Sequence, residues 1–235
     1  MKIIKPTHFF KPLFYCFILY FFSCNDGTNT NKNNKTATLT INKDSAIKNT
    51  FFHLKKLSIT GDFDGDGKID TLCQNTINEL TKQPIDSFPD SQWNSIENYF
   101  FLMNADVQLF MSNKPNDTLH LGAGGSLYCL INIGDNNKDK KDEIAVVVDY
   151  YDFTNISTCV IYSLCDNKWK EIKSFKVFEN AFDYEIDSMP NSKQINGYLE
   201  YRKNKWYYID YNDWFNAETN KDTMLKPLII KNVCK

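Results

Sequence analysis

The sequence predicts a mainly β domain, either a partial β-propeller-like fold or an irregular antiparallel β-sheet domain, with one helical insertion. Short segments rich in aromatic and β-branched residues alternate with turn residues, which is typical of antiparallel strands. One further segment has apolar residues at helical spacing. Two acidic loops of the same pattern each lie between strand-like segments. The predicted domain, residues 51–235, is long enough to bury a hydrophobic core.

The amino terminus has the layout of a secretory signal peptide over residues 1–23. Lysines at positions 2, 5 and 11 precede an apolar run of ten residues, 13–22, which is short for a membrane span. The join Phe21-Phe22-Ser23-Cys24 resembles a bacterial lipobox, which implies that Cys24 becomes the lipid-bearing first residue. An ordinary signal peptide cleaved near Ser23 is the alternative. Export is expected in both cases, and lipidation would attach the protein to the bacterial outer membrane or cell envelope.

Residues 24–50 are predicted to be a disordered tether between the anchor and the domain. They are rich in Asn, Thr and Lys and contain few apolar residues, so they cannot bury enough surface to become ordered. Removal of residues 1–23 takes away three lysines and no acids, which leaves 24 basic and 29 acidic side chains. This mildly acidic chain has no basic stripe, and we therefore expect no nucleic-acid partner.

The predicted strands follow the tether in order. Their approximate ranges are 53–59, 69–74, 107–112, 118–121, 127–133, 144–151, 157–164, 169–177, 197–202, 206–211 and 225–233. Residues 113–117 read as a five-residue hairpin turn, and 76–88 as a polar connection. The helix is predicted behind a cap at residues 89–91, with Trp93, Ile96, Phe100 and Met103 on one face.

The first acidic loop, residues 61–70, has the spacing of a calcium loop. Numbered from Asp62, its aspartates take positions 1, 3, 5 and 9, and Gly67 takes position 6. Such a spacing can wrap carboxylate oxygens and one backbone carbonyl around a single Ca²⁺ ion. The candidate ligands are the side chains of Asp62, Asp64, Asp66 and Asp70 and the carbonyl of Lys68. Position 12 is Cys73 rather than the Glu of a helix-flanked calcium loop, and the flanks read as strands.

A second loop, residues 134–143, repeats this pattern. Its candidate ligands are Asp135, Asn137, Asp139, Glu143 and the carbonyl of Lys141. This loop has fewer carboxylates at ligand positions than the first loop. Lys140 stands where the first loop has the position-6 glycine, and the same turn would require a left-handed conformation there. Because charge count and rigidity set affinity in such loops, we expect the first loop to bind Ca²⁺ more tightly.

The two loops resemble FG-GAP and VCBS-type repeats, the blade motif of integrin-like β-propellers. The shared pattern is Asp-x-Asp/Asn-x-Asp-Gly-x-x-Asp at a turn between strands. The resemblance implies calcium binding in a β fold. Its implication for function is broader, since such repeats occur in adhesion proteins, sugar-binding proteins and secreted enzymes.

Other residues leave several alternatives open. Trp169 and Trp206 each follow a hairpin turn, and we favour packing on cross-strand neighbours over stacking on sugar rings. The sequence assigns no disulfide, although Cys159 and Cys165 are too far apart along one strand to bridge each other. No catalytic motif is evident, but five acids could supply a carboxylate pair for glycoside hydrolysis: Asp149, Asp152, Asp183, Glu185 and Asp187.

The sequence therefore favours a lipid-anchored cell-envelope protein whose calcium-stabilised β-domain is a binding or scaffolding module. Its expected partners are the membrane, through the lipid anchor, and a glycan or an envelope protein. A secreted glycan-directed hydrolase with structural calcium is the alternative. A structural envelope protein that binds only calcium is a third possibility.

Overall fold

The computed structural model describes residues 51–89, 93–150, 154–182, 193–215 and 225–234. The predicted signal peptide, the lipid attachment residue Cys24 and the predicted tether lie outside these residues. Four of the five candidate catalytic acids, all except Asp149, lie outside them too. Within the described part of the chain, no helix is long and apolar enough to cross a membrane.

The described residues form mainly β structure, as predicted. The strands are β1 Phe51–His53, β2 Ser58–Gly61, β3 Asp70–Asn78, β4 Gln83–Pro84, β5 Ser87–Pro89, β6 Ala105–Met111, β7 Lys114–Ala123, β8 Ser126–Gly134, β9 Glu143–Asp149, β10 Ile156–Cys165, β11 Lys168–Phe178, β12 Leu199–Arg202, β13 Lys205–Tyr208 and β14 Lys226–Pro227. The helices are α1 Trp93–Leu102, α2 Tyr211–Phe215 and a 3₁₀ helix at Glu179–Phe182.

These strands pair antiparallel in four sheets. The largest has the order β2-β3-β6-β7, with β4 added on β3, and the next has the order β11-β10-β9-β8. A three-stranded sheet, β12-β13-β14, and a two-stranded sheet, β1-β5, complete the set. None of these sheets closes on itself within the described residues. The fold therefore matches the irregular antiparallel form of the prediction.

The four-stranded sheet lies between two core clusters, and its strand β9 is buried on both faces. On strand β9, Ala145 and Val147 face one core cluster, which includes Trp206 of the three-stranded sheet. The alternate residues Ile144 and Val146 face a second cluster, formed with the five-stranded sheet. Successive side chains of a strand point to opposite faces, so one apolar strand can fill two cores. Burial of this apolar surface is the main stabilising term of the domain.

Helix α1 confirms the predicted helical insertion. Phe100 is buried, and Ile96 and Met103 pack partly buried against it in a small cluster that also contains Ile85 and Phe88. This is the face that the spacing of three and four residues predicted. The helix covers the edge near the two-stranded sheet rather than either main core.

Several local expectations were wrong. The predicted strand 53–59 is two short strands, β1 and β2, and the predicted strand 206–211 ends at Tyr208, before α2. The predicted turn at 113–117 is shorter, because Met111 pairs with Lys114 and β7 continues from there. Residues 76–88 are not only a connection, since β3 extends to Asn78 and two short strands follow. Of the last predicted strand, only Lys226–Pro227 pairs in a sheet. Its next residue, Leu228, still donates its N–H to the carbonyl of Trp206 at 2.8 Å.

One disulfide, between Cys165 and Cys234, joins the end of β10 to the carboxyl-terminal segment. Their separation in sequence is 69 residues, and no local pattern indicated the pair. Cys73, Cys129 and Cys159 are free thiols. Burial raises the pKa of the Cys129 thiol to about 12, so this side chain is a small apolar core residue.

Packing on the cross-strand neighbour is confirmed for Trp206, whereas the ring contact of Trp169 is with Phe63, which is not its cross-strand partner. Trp206 is buried and its ring lies 5.3 Å from that of Tyr201, its cross-strand partner. Trp169 packs partly buried against the second core cluster, with its ring 6.4 Å from that of Phe63. The Nε1–H of each ring donates to a backbone carbonyl, of Asp117 for Trp169 and of Ile133 for Trp206.

Candidate metal centre

Loop 1, residues 61–70, joins β2 to β3 and brings three of its carboxylates together. One oxygen from each of Asp62, Asp64 and Asp70 lies within 4.8 Å of the other two. That spacing suits a single ion with oxygen ligands at about 2.3–2.6 Å. Because Asp70 is the first residue of β3, the strand fixes one side of the cluster, and the turn supplies the other two residues.

The side chain of Asp62 organises the turn. Its Oδ1 accepts a hydrogen bond from the N–H of Gly65 at 2.9 Å, and its Oδ2 accepts one from Gly67 at 3.0 Å. Both glycines have left-handed backbone angles, with φ of 79° at Gly65 and 80° at Gly67. Glycine adopts this conformation without steric cost, so the sequence at these two positions suits the turn.

Asp70 holds a buried carboxylate oxygen that has no protein partner. The residue is 3% exposed, and its Oδ1 accepts a hydrogen bond from Asn113 Nδ2 at 2.7 Å. Its Oδ2 is buried without any hydrogen bond. Buried polar atoms are nearly always paired, because an unpaired one loses its water without compensation. A cation among the three carboxylates would supply the missing partner.

Asp66 and Lys68, the other two ligands predicted in this loop, lie at its exposed rim. Asp66 Oδ1 accepts from the N–H of Lys68 at 2.8 Å, and its Oδ2 lies 3.3 Å from Lys68 Nζ. The Asp66 carboxylate is not part of the three-residue cluster.

A lysine from a neighbouring hairpin contacts this loop. Lys114 Nζ forms a short salt bridge with Asp64 Oδ2. The hydrogen bond from Lys114 holds the pKa of the Asp64 carboxyl below its usual range, with smaller contributions from nearby charges. Sequence reasoning missed Asn113 and Lys114, since both fell in a predicted turn about 50 residues from the acids they contact.

Loop 2, residues 134–143, joins β8 to β9 and forms a second cluster. Single oxygens of Asp135, Asp139 and Glu143 lie within 4.8 Å of one another. Glu143 is fully buried, and its burial raises the pKa of the carboxyl to about 7. Its Oε2 accepts from the N–H of Asn136 at 2.8 Å, and its Oε1 accepts from Asn137 Nδ2 at 2.6 Å. Asp139 Oδ2 is buried without a hydrogen-bond partner.

The two loops share one internal hydrogen-bond pattern. In both, the position-1 aspartate accepts from the N–H of position 6, which in loop 2 is Lys140, at 3.0 Å. In both, the side chain at position 3 accepts from the N–H of position 5, here Asn137 from Asp139 at 2.9 Å. Position 5 then accepts from position 7, here Asp139 from Lys141 at 3.0 Å. The sequence repeat is therefore also a structural repeat.

Loop 2 adopts the turn of loop 1 without its glycines. Lys138 and Lys140, at positions 4 and 6, have left-handed φ angles of 63° and 72°. The left-handed conformation expected for Lys140 is thus confirmed. A left-handed conformation costs about 1–2 kcal/mol for a residue with a Cβ. Such strained residues persist where the surrounding structure requires the conformation.

The two loops lie side by side in the fold. The backbone of Asp142 is hydrogen-bonded to that of Asp62, and Asn132 Nδ2 donates to both the carbonyl of Thr60 and Asp142 Oδ2 at 2.9 Å. A Cβ at Gly61 would stand 2.3 Å from Asn132 Nδ2, so any other residue here would displace the Asn132 side chain. No local pattern indicated this contact, because positions 61 and 142 are distant in the chain.

Asp149 alone of the candidate catalytic acids is described, and it lies elsewhere. Burial raises the pKa of the Tyr128 hydroxyl, and the charges of Asp149 and Glu179 raise it further. Glu179 accepts hydrogen bonds from Tyr128 at 3.3 Å and from Ser157 at 2.7 Å. These two hydrogen bonds give Glu179 a structural role in the fold.

Comparison of the chain with protein-family models, curated proteins and solved structures gave no match. The two clusters are therefore interpreted from their own geometry and chemistry.

Proposed function

We propose that this protein binds two calcium ions, one in each loop, and that the ions stabilise the β-domain of an exported, lipid-anchored cell-envelope protein. In this proposal the domain is a binding or scaffolding module for a glycan or an envelope protein. The calcium assignment is supported by the structure of the loops, and the anchor by the sequence around Cys24.

One observation carries the calcium proposal. Each of the two loops, with the same internal hydrogen bonds, gathers three carboxylates and leaves one buried carboxylate oxygen without a partner. These oxygens belong to Asp70 and Asp139. The unpartnered oxygen lies at position 9 in loop 1 and at position 5 in loop 2, and an ion in each loop would supply the missing partner in both.

The donor atoms favour calcium among the common metals. Hard oxygen donors select Ca²⁺, Mg²⁺ or Mn²⁺, whereas zinc favours Cys and His ligands. The clusters consist of carboxylates, and their neighbouring side-chain amide and backbone groups could complete a large, flexible oxygen shell. Ca²⁺ accepts six to eight such ligands, while Mg²⁺ needs a tighter octahedron.

The direct test is calcium titration of the purified protein by calorimetry, with magnesium as comparison. Two binding events are expected, and thermal unfolding should shift upward with calcium. At calcium about 100 times a dissociation constant, each site adds about 2.7 kcal/mol to the free energy of unfolding. The double variant Asp70→Asn with Asp139→Asn should lose both effects. Asp117→Asn, outside the clusters, should keep them. Unchanged melting of the wild type between calcium and chelator would refute the proposal.

The anchor has its own test. The full chain expressed in a bacterial host should partition into detergent, and Cys24→Ser should release a soluble exported form. Stable anchoring needs more than one acyl chain, which lipidation of an amino-terminal cysteine supplies. A wild-type protein that is exported in soluble form would contradict the anchor and leave the calcium proposal standing.

A further inference from the structure

We propose that Lys114 is a tethered competitor for the ion at loop 1. Its ammonium neutralises Asp64 when no divalent ion is bound, and it must leave Asp64 for an ion to bind fully. Lys114 therefore sets the calcium affinity of loop 1. This inference rests on the proposed calcium binding of that loop.

The β6–β7 hairpin places two side chains against the loop 1 carboxylates. Lys114 Nζ forms its salt bridge with Asp64 Oδ2, and Asn113 Nδ2 donates to Asp70 Oδ1 at 2.7 Å. Asp64 and Asp70 are two of the three residues in the cluster. The hairpin therefore places the Lys114 ammonium against a carboxylate that would also bind an ion.

Of the two partners in this salt bridge, the Lys114 side chain can move away and the Asp64 side chain cannot. The Asp64 side chain is 7% exposed, but that of Lys114 is 41% exposed. The carboxylate thus stays in the loop, while the long lysine side chain can swing into water at little cost. An ammonium that remained beside a divalent ion would be repelled by it, since like charges a few ångströms apart interact strongly near a protein surface.

Loop 2 lacks this arrangement. Lys141, a residue of loop 2 itself, directs its Nζ to the carbonyl of Leu164 at 2.9 Å. Among the described residues, no salt bridge reaches Asp135, Asp139 or Glu143. The two loops share one backbone pattern and differ in this tethered cation, so the difference assigns a specific role to Lys114.

The test isolates loop 1 by disabling loop 2 with Asp135→Asn. In this background, Lys114→Gln is expected to lower the dissociation constant for Ca²⁺ about tenfold, equivalent to about 1.4 kcal/mol. Lys114→Met carries the same expectation and covers a failure of the first variant to fold. Lys56→Gln is the matched control, because Lys56 pairs with Asp86 and has a similar exposure of 42%. It should leave the dissociation constant unchanged.

Thermal unfolding of the Lys114 variants distinguishes competition with the ion from a purely structural role of Lys114. In chelator, both Lys114 variants should melt below their parent, because Asp64 loses its cation. In saturating calcium that difference should disappear. An equal loss in both conditions, or an unchanged dissociation constant in the Lys114 variants, would overturn the inference while calcium binding stands. Absence of calcium binding in the Asp135→Asn parent itself would overturn both this inference and calcium binding at loop 1.

Discussion

Asp142 and Asp62 are joined by two hydrogen bonds that run in opposite directions. The N–H of Asp142 donates to the carbonyl of Asp62 at 2.8 Å, and the N–H of Asp62 donates to Asp142 Oδ2 at 3.2 Å. Each residue belongs to a different acidic loop. A shift of one loop therefore strains the other, and we expect an ion in either loop to restrict both.

Gly61→Ala should show how closely the loops pack. The added Cβ would stand 2.6 Å from Asp142 Oδ2 and 2.3 Å from Asn132 Nδ2. Overpacking of this kind costs about 1–3 kcal/mol in the free energy of unfolding. Urea unfolding in chelator measures the loss, with exposed Thr60→Ala as the control on the same strand. A loss no larger than that of the control would mean that the loops have room to separate.

Asp70→Asn should remove calcium binding at loop 1 without weakening the ion-free protein. The substitution keeps the shape of the side chain and replaces a buried, partnerless carboxylate oxygen with part of a neutral amide, which is less costly to bury. Calorimetry should show one binding event fewer, and unfolding in chelator should need at least as much urea as the wild type. Retention of both binding events would place the ion elsewhere.

Glu143 should make the stability of the ion-free protein depend on pH. Burial raises the pKa of its carboxyl from 4.5 to about 7, so the folded state binds this proton more tightly than the unfolded state. The Glu143 contribution to stability therefore falls as pH rises from about 4.5 to about 7, and is constant above. The readout is the free energy of unfolding in chelator, wild type minus Glu143→Gln, across this window. A difference that rises with pH would have the wrong sign.

Trp206→Ala should be among the most damaging single substitutions. The side chain is 6% exposed, and its Nε1–H donates to the carbonyl of Ile133 at 2.7 Å, directly before loop 2. Truncation of a buried aromatic side chain costs about 3–5 kcal/mol. Tyr201→Ala, at the exposed cross-strand partner, is the comparison and should cost less. Denaturant midpoints of both variants decide the matter, and equal losses would argue against core packing of Trp206.

Helix α1 and the two acidic loops, which depend on local sequence, were predictable, although several strand and turn boundaries were not. Helix α1 was recognisable because its buried face follows from the spacing of Ile96 and Phe100. The two acidic clusters were recognisable because their carboxylates lie close together in the chain. The left-handed angle at Lys140 followed from comparing the two loops position by position.

The parts that depend on contacts between distant segments were not predictable. The spacing predicted both Asp64 and Asp66 as calcium ligands. In the structure, Asp66 lies at the exposed rim and Asp64 forms a salt bridge with Lys114. The expected ranking of the two loops counted the charge of Asp66 and could not include Lys114. That ranking stays a prediction, and the structure removes part of its basis. A single sequence does not show which distant hairpin a loop will meet.

The disulfide between Cys165 and Cys234 depends on both the folding of the chain and the compartment in which it folds. Disulfides form and persist in oxidising compartments, whereas the cytosol keeps thiols reduced. The two sulfur atoms are brought together only when the end of β10 and the carboxyl-terminal segment meet, 69 residues apart in the chain. A molecule that carries this bond has therefore both folded and reached an oxidising environment. Counting its reactive thiols by mass spectrometry would distinguish molecules that have folded in an oxidising environment from those that have not.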